Sequence, residues 1–391
     1  QQFDETRLED VAGTVRAELA KPEIRALVKP GMRIAVGVGS RGIQNLYTIV
    51  ETTVNSLKEL GAEPFIVSAM GSHGGGTEEG QREVLAGYGI TEERLGVPVV
   101  TTVDTVYLGN CANGRPVWFD RAAYEADLIV PINRVKLHTD FVGPIQSGLC
   151  KMLVIGLGNH KGCSAVHEEA PEVFAGAIEE TARLILQKAP VGFGIAILEN
   201  AYDKTYAVEA VPAEHLVERE KELVQIAKGN MPYIMLDEAD VIVCGAIGKD
   251  ISGAGFDPNI LGRSSVLKQF VLHIPRYQRL VLCDVTPASH GNGIGVGLFD
   301  VITKKVAEQL DLESMYANAI ACNCLGDASV PCTVDDEETA IRVALKCCRN
   351  IDRDHPRIIR IQNTLHLGEI EVSEALLDAV RADSRMSLIE N

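Results

Sequence analysis

Along the first 200 residues, short apolar runs closed by glycine alternate with longer amphipathic stretches. Residues 33–38 (RIAVGV), 64–69 (PFIVSA), 126–132 (ADLIVPI) and 192–198 (GFGIAIL) read as buried strands. Residues 43–60, 77–85 and 171–187 carry helical spacing. Gly61 closes the first of these, Thr77 caps the second, and Gly80 is a weak spot inside it. Residues 99–103, 106–108 and 117–119 add short strands. Strands separated by helices of this length predict βαβ units and a mainly parallel sheet.

A charged helix at 214–227 and a linker-like stretch at 228–237 come next. A second series then begins, with strands at 239–244, 279–283 and 358–362 and helices at 301–309, 312–320 and 336–347. The pattern therefore predicts two α/β domains with mainly parallel sheets and an active site in the cleft between them. The first would span 1–238 and the second 239–377, and most of the candidate chemistry falls in the first. The helical, acidic tail 378–391 could return to the first.

Composition narrows the function. The 391 residues are 46% hydrophobic and 23% charged, which is ordinary globular chemistry. Lys plus Arg is 37 and Asp plus Glu is 54, a net charge of −17. A uniformly acidic surface repels phosphate backbones, so no nucleic-acid partner is expected. No apolar run is long enough for a membrane span, and residues 1–10 are too polar for a secretory signal. Ten scattered cysteines without a CxxC pair read as reduced thiols, hence a cytoplasmic protein.

Glycine and histidine gather where strands end, which is where parallel sheets bind ligands. Ser40 and Arg41 follow the first strand and precede a helix, a position that favours anions. His73 stands among four glycines in residues 71–77 (GSHGGGT). His138 follows the buried strand 126–132, after Asn133, Arg134 and Lys136. Lys151 lies among Leu149, Met152, Leu153 and Val154. It reads either as a snorkelling surface lysine or as a desolvated amine suited to covalent attachment. His160 and His167 lie beyond it. In the second domain Lys249, Asn259 and Arg263 offer polar contacts for an anionic substrate, and His290 sits in another glycine turn. Residues 37–42 match G-x-G-x-x-G, but strand 64–69 ends without the acidic residue of a dinucleotide site.

At these residues the sequence resembles the nickel-pincer-nucleotide-dependent lactate racemase family, nearly along its whole length. Family members carry an arginine after the first strand, matched by Arg41. A histidine in a glycine-flanked turn is matched by His73, and a histidine after a buried strand by His138. A lysine in a glycine-rich segment is matched by Lys151, and a histidine 16 residues beyond it by His167. The resemblance implies a nickel pincer nucleotide held covalently by Lys151, with Ser40 and Arg41 as further cofactor contacts and His167 as nickel ligand. It implies His73 and His138 as paired acid/bases, and Arg41 as a contact for the substrate carboxylate. It further implies cofactor-biosynthesis enzymes as partners, and a recombinant sample can lack the cofactor.

Three departures touch the substrate. The segment before the lysine reads GPIQSGLCK, where lactate enzymes have a GFSGG-type run. The histidine turn reads GSHGGGT, where they have THRP. Residues 257–265 offer Asn259 and Arg263 in place of a tyrosine, a glutamine and a lysine. The expected activity is therefore racemisation or epimerisation of a small-molecule 2-hydroxy acid other than lactate, by hydride abstraction and return. The alternatives are dehydration or isomerisation of a sugar acid at the same site, or a non-catalytic binding protein. The oligomeric state, a homo-oligomer included, is left open.

Overall fold

The structure, a computed structural model, describes residues 1–39 and 42–389. Its contacts divide the chain into an N-terminal unit, Glu5–Asn230, and a C-terminal unit made of Gln1–Asp4 and the chain from Met231 onward.

The N-terminal unit is built on β1 (Arg33–Val38), β2 (Glu63–Ser68), β3 (Val99–Val100), β6 (Leu128–Arg134), β7 (Phe193–Glu199) and β8 (Thr205–Pro212). A hairpin, β4 (Thr105–Asn110) and β5 (Pro116–Asp120), stands apart from that sheet. The strand order is β3-β2-β1-β6-β7-β8. All neighbours are parallel except β7 and β8. Helices cover both faces of such a sheet, so its strands are apolar on both sides. Five of the six residues of β1 and six of the seven of β6 are buried. The helix Leu46–Glu59 buries Leu46, Ile49, Val50, Val54 and Leu57, one stripe at helical spacing. It starts three residues later than the pattern predicts, because Asn45 adopts a left-handed backbone at φ 58°.

This order places a reversal between β1 and β6: from β1 the chain builds outward to β2 and β3, then returns to lay β6 on the other side. Crossover connections diverge there and open a crevice at the carboxyl ends of the strands.

The C-terminal unit repeats the plan with β9 (Val241–Cys244), β10 (Arg279–Leu282), β11 (Val301–Thr303), β12 (Cys332–Val334), β13 (Ile358–Ile361) and β14 (Ile370–Val372). The order is β12-β11-β10-β9-β13-β14, with only β14 antiparallel to its neighbour. Residues 301–309, which the apolar pattern assigns to one helix, divide here. The β-branched Val301, Ile302 and Thr303 pair with β10 and β12, and the helix Lys304–Gln309 starts on the Thr303 hydroxyl cap. Within this unit Val380 joins the core and Arg385 donates to Tyr233 Oη at 2.7 Å. The α/β class and the mostly parallel sheets are as the sequence predicts.

Candidate active site

A cavity of about 180 Å³ opens at the β1/β6 reversal. Its lining comes from the carboxyl ends of three neighbouring strands: Gly39 after β1, Ala69 and Met70 after β2, and Asn133 at the end of β6. Ser72, His73, Ser147, Lys151, Cys163 and His167 supply the remaining polar groups. Among the described lining residues there is no Asp or Glu, so the cavity favours an anion despite the chain's charge of −17.

His73 is held by a turn that needs glycine. Gly74, Gly75 and Gly76 all have φ near +65°, which side chains other than glycine's rarely adopt. The turn presses on the following helix, Glu78–Gly87, so closely that a Cβ on Gly80 would lie 1.9 Å from the Gly74 carbonyl oxygen. The apparent weak spot in that helix is therefore a packing requirement. Thr77 caps the helix as predicted, accepting from Gly80 N. Buried Gln81 ties the turn to β2: its Nε2 donates to Gly71 O at 3.1 Å, and its Oε1 accepts from Ser68 Oγ at 2.6 Å. His73 itself stands exposed at the cavity.

His138 and Lys151 are in direct contact, His138 Nε2 to Lys151 Nζ 2.5 Å. Backbone pairing of Lys136 with Ser147 folds the intervening loop back, which brings the two together across 13 residues. Gln146 accepts the His138 backbone N–H at 2.8 Å. The Asp140 backbone N–H donates to His138 Nδ1 at 3.0 Å. An acceptor at Nδ1 places the proton of the neutral ring on Nε2, which makes the facing lysine nitrogen the acceptor, in its uncharged form. The electrostatics agree. Burial lowers the His138 pKa well below its usual value, and the nearby Lys151, Lys136 and His167 add to the effect. Burial also lowers the Lys151 pKa. Lys151 is therefore a desolvated amine, not a snorkelling one.

Lys151 rides on a single helical turn, Leu149–Lys151, that widens into a π-helical stretch, Met152–Gly156, an irregularity often found at functional sites. Two buried side chains fix its start. Asn133 Nδ2 donates to Gly148 O at 2.8 Å, and Glu220 Oε2 accepts from Cys150 N at 2.8 Å. With Nδ2 so engaged, Asn133 Oδ1 is left without a partner in a side chain only 6% exposed. Burial pushes the Glu220 carboxyl up to about 7.

His167 lies on the next helix, Asn159–His167, one turn beyond Cys163. Its Nδ1 contacts the Cys163 carbonyl oxygen at 2.7 Å and the thiol sulfur at 3.4 Å. Donation of Nδ1–H to that carbonyl leaves the Nε2 lone pair available. The thiol hydrogen bond raises the His167 pKa against the opposing effect of burial. Burial raises the Cys163 thiol, but His167, Ser72 and Lys151 outweigh it and the net shift is downward. A row of rings joins the two histidines: His138 stacks on Phe141 at 4.2 Å, Phe141 meets Phe174 at 4.8 Å, and His167 meets Phe174 edge-on at 5.2 Å.

Thus His73, Lys151 and His167 line one cavity, and His138 joins them through Lys151. Ser40 and Arg41 lie outside the described residues. Lys249, Asn259 and Arg263 belong to the C-terminal unit. Lys249 Nζ donates to Gly253 O at 2.6 Å and to Asn318 Oδ1. Asn259 is buried, and its backbone N–H and Nδ2 donate to Asp257 Oδ1. Arg263 pairs with Asp300 at 2.6 Å and stacks over Tyr277. Sequence reasoning passed over Cys163 and the distinct role of Asn133. The Cys163/His167 spacing of four, one helical turn, is the signal that would have found the first. An unpaired amide oxygen has no signal in sequence. No cluster of three or more metal-ligating side chains occurs among the described residues.

Residues 2–175 match the family described as the lactate racemase N-terminal domain. This stretch contains His73, His138, Lys151 and His167. Over that stretch the chain is similar to the lactate racemase family. No curated protein matches the chain. The lactate racemase apoprotein from Thermoanaerobacterium thermosaccharolyticum is similar in fold at 14% identity, with a TM-score of 0.56 over 92% of this chain and 93% of that one. A protein from Thermotoga maritima, known from its crystal structure, matches at 14% identity and a TM-score of 0.46. That match spans 61% of this chain and 64% of the other's length.

Proposed function

We propose that the protein is a racemase or epimerase of a 2-hydroxy acid that works with a nickel pincer nucleotide attached to Lys151. The observation that carries this reading is the Lys151–His138 contact beside the cavity that His73 and His167 line. The donor set fits the group. An uncharged, buried amine suits covalent attachment. His167, its Nδ1 turned to a backbone carbonyl, offers Nε2 to the metal. The orphaned Asn133 oxygen marks the wall as unfinished.

When bound, the cofactor would accept the α-hydrogen as hydride and return it. The chain's own residues do the rest. The α-hydrogen of a hydroxy acid is a poor acid, so the hydroxyl proton must leave as the hydride does, which gives a 2-oxo acid. His73 and His138, on different elements, each serve the hydroxyl in one orientation. The matching histidine returns the proton to the oxygen of the 2-oxo acid, so either enantiomer would form according to the face on which the cofactor supplied hydride. For His138 to act as base its proton must move to Nδ1, which displaces the Asp140 N–H. The Asp140 loop is therefore part of the catalytic cycle. The described lining carries no carboxylate, which leaves the substrate's own carboxylate unopposed there.

Loaded enzyme, turned over in D₂O, tests the reading. Racemised product should keep protium at C2, because hydride returns without exchange. Solvent deuterium at C2 would point to proton abstraction, and loss of water to a dehydratase.

A further inference from the structure

We infer that, without any cofactor, the Lys151 amine is a selective nucleophile for 2-oxo acids, which it captures as an imine. This goes beyond the racemase reading and needs neither nickel nor nucleotide.

Three observations carry it. First, Lys151 Nζ is in contact with His138 Nε2 at 2.5 Å, with Asp140 N–H on the far ring nitrogen, an arrangement that leaves the amine uncharged. An ordinary lysine is protonated at neutral pH and has no lone pair to offer. Burial, which lowers the Lys151 pKa, works the same way. Second, the amine lines an open cavity of about 180 Å³, on the scale of a three-carbon acid. The described lining includes His73 and His167 and no carboxylate, so an anionic carbonyl compound is preferred over a neutral one. Third, Asn133 brings an unpartnered, buried acceptor to the same wall.

The step balances without a redox partner. The amine lone pair forms the C–N bond as the carbonyl π pair moves to oxygen. Both amine hydrogens then leave with that oxygen as water, relayed by His138, and C=N remains. Because cofactor attachment is read as using the same nitrogen, a bound 2-oxo acid would hold the apoprotein unloaded.

The test uses full-length protein from a host without the cofactor, pyruvate as probe, and cyanoborohydride to reduce the imine to a stable amine. Intact mass and peptide mapping then compare Lys151 with exposed Lys304 and Lys305. Lys151 should be modified about tenfold faster or more, from its uncharged state and its placement. Lys151→Met should abolish the single rapid adduct and leave the slow ones, and His138→Gln should slow it by about 10²-fold. Equal rates at Lys151 and Lys304 in the wild type would overturn the inference. An equal Lys151-to-Lys304 ratio with methyl pyruvate would overturn the assignment to acids. Either failure leaves the deuterium test of the racemase untouched.

Discussion

At the residue scale, function here depends on what a few side chains are denied. Lys151 is partly denied water, Asn133 Oδ1 a donor, and the described lining of the cavity a carboxylate. The sequence marked His73, His138, Lys151 and His167 by their places after strands and glycines. It could not show that His138 and Lys151 touch, since that depends on a loop closing through the Lys136–Ser147 pairing. Nor could it show that the Arg263 charge is matched by Asp300. In loaded enzyme, replacing His73 or His138 by alanine should lower kcat by about 10²–10⁴-fold, with circular dichroism unchanged. Unaltered turnover in either variant would remove its assigned role. Glu220 gives a pH signature. Its folded-state pKa, about 7, lies above the unfolded value, so the native state holds the proton more tightly. The resulting stability is full at acid pH and lost as pH rises through about 7, a change of about 2–3 kcal/mol. The melting temperature should therefore fall between pH 5 and 8. Glu220→Gln, which keeps an acceptor for Cys150 N, should flatten that fall. A slope unchanged in the variant would mean another group titrates.

At the element scale, the cavity follows from strand order. Strands β1, β2 and β6 were legible as apolar runs, and their helices as amphipathic ones. The order β3-β2-β1-β6 was not, because sheet order is set by crossover packing between distant segments. Strands β8, β12 and β14 also escaped the pattern, two of them only three residues long. Gly80 shows how a residue that looks wrong for its element can be required by its neighbour. Gly80→Ala should drive its Cβ into the Gly74 carbonyl, open the His73 turn and cost about 1–3 kcal/mol. A crystal structure or the melting temperature of the variant checks this, and an undisturbed turn at wild-type stability would contradict it.

For the whole molecule, each unit has its own sheet and its own apolar core. The boundary follows Asn230, where the helix Leu216–Asn230 ends. Every described group of the candidate site outside the substrate residues Lys249, Asn259 and Arg263 falls in the N-terminal unit. The fragment 5–230 should therefore fold alone, with a cooperative denaturant transition reported by Trp118, the chain's one tryptophan. A featureless transition would contradict the division.

The central claim is that Lys151 carries a nickel-bearing group in this chain. Intact mass, peptide mapping and nickel content answer it directly, on protein made in a host that synthesises the pincer nucleotide. The account predicts one covalent adduct, mapped to Lys151, with about one nickel per chain. It also predicts that His167→Ala keeps the adduct but loses nickel. An unmodified Lys151 without nickel, from a host that loads a lactate racemase in parallel, would contradict it.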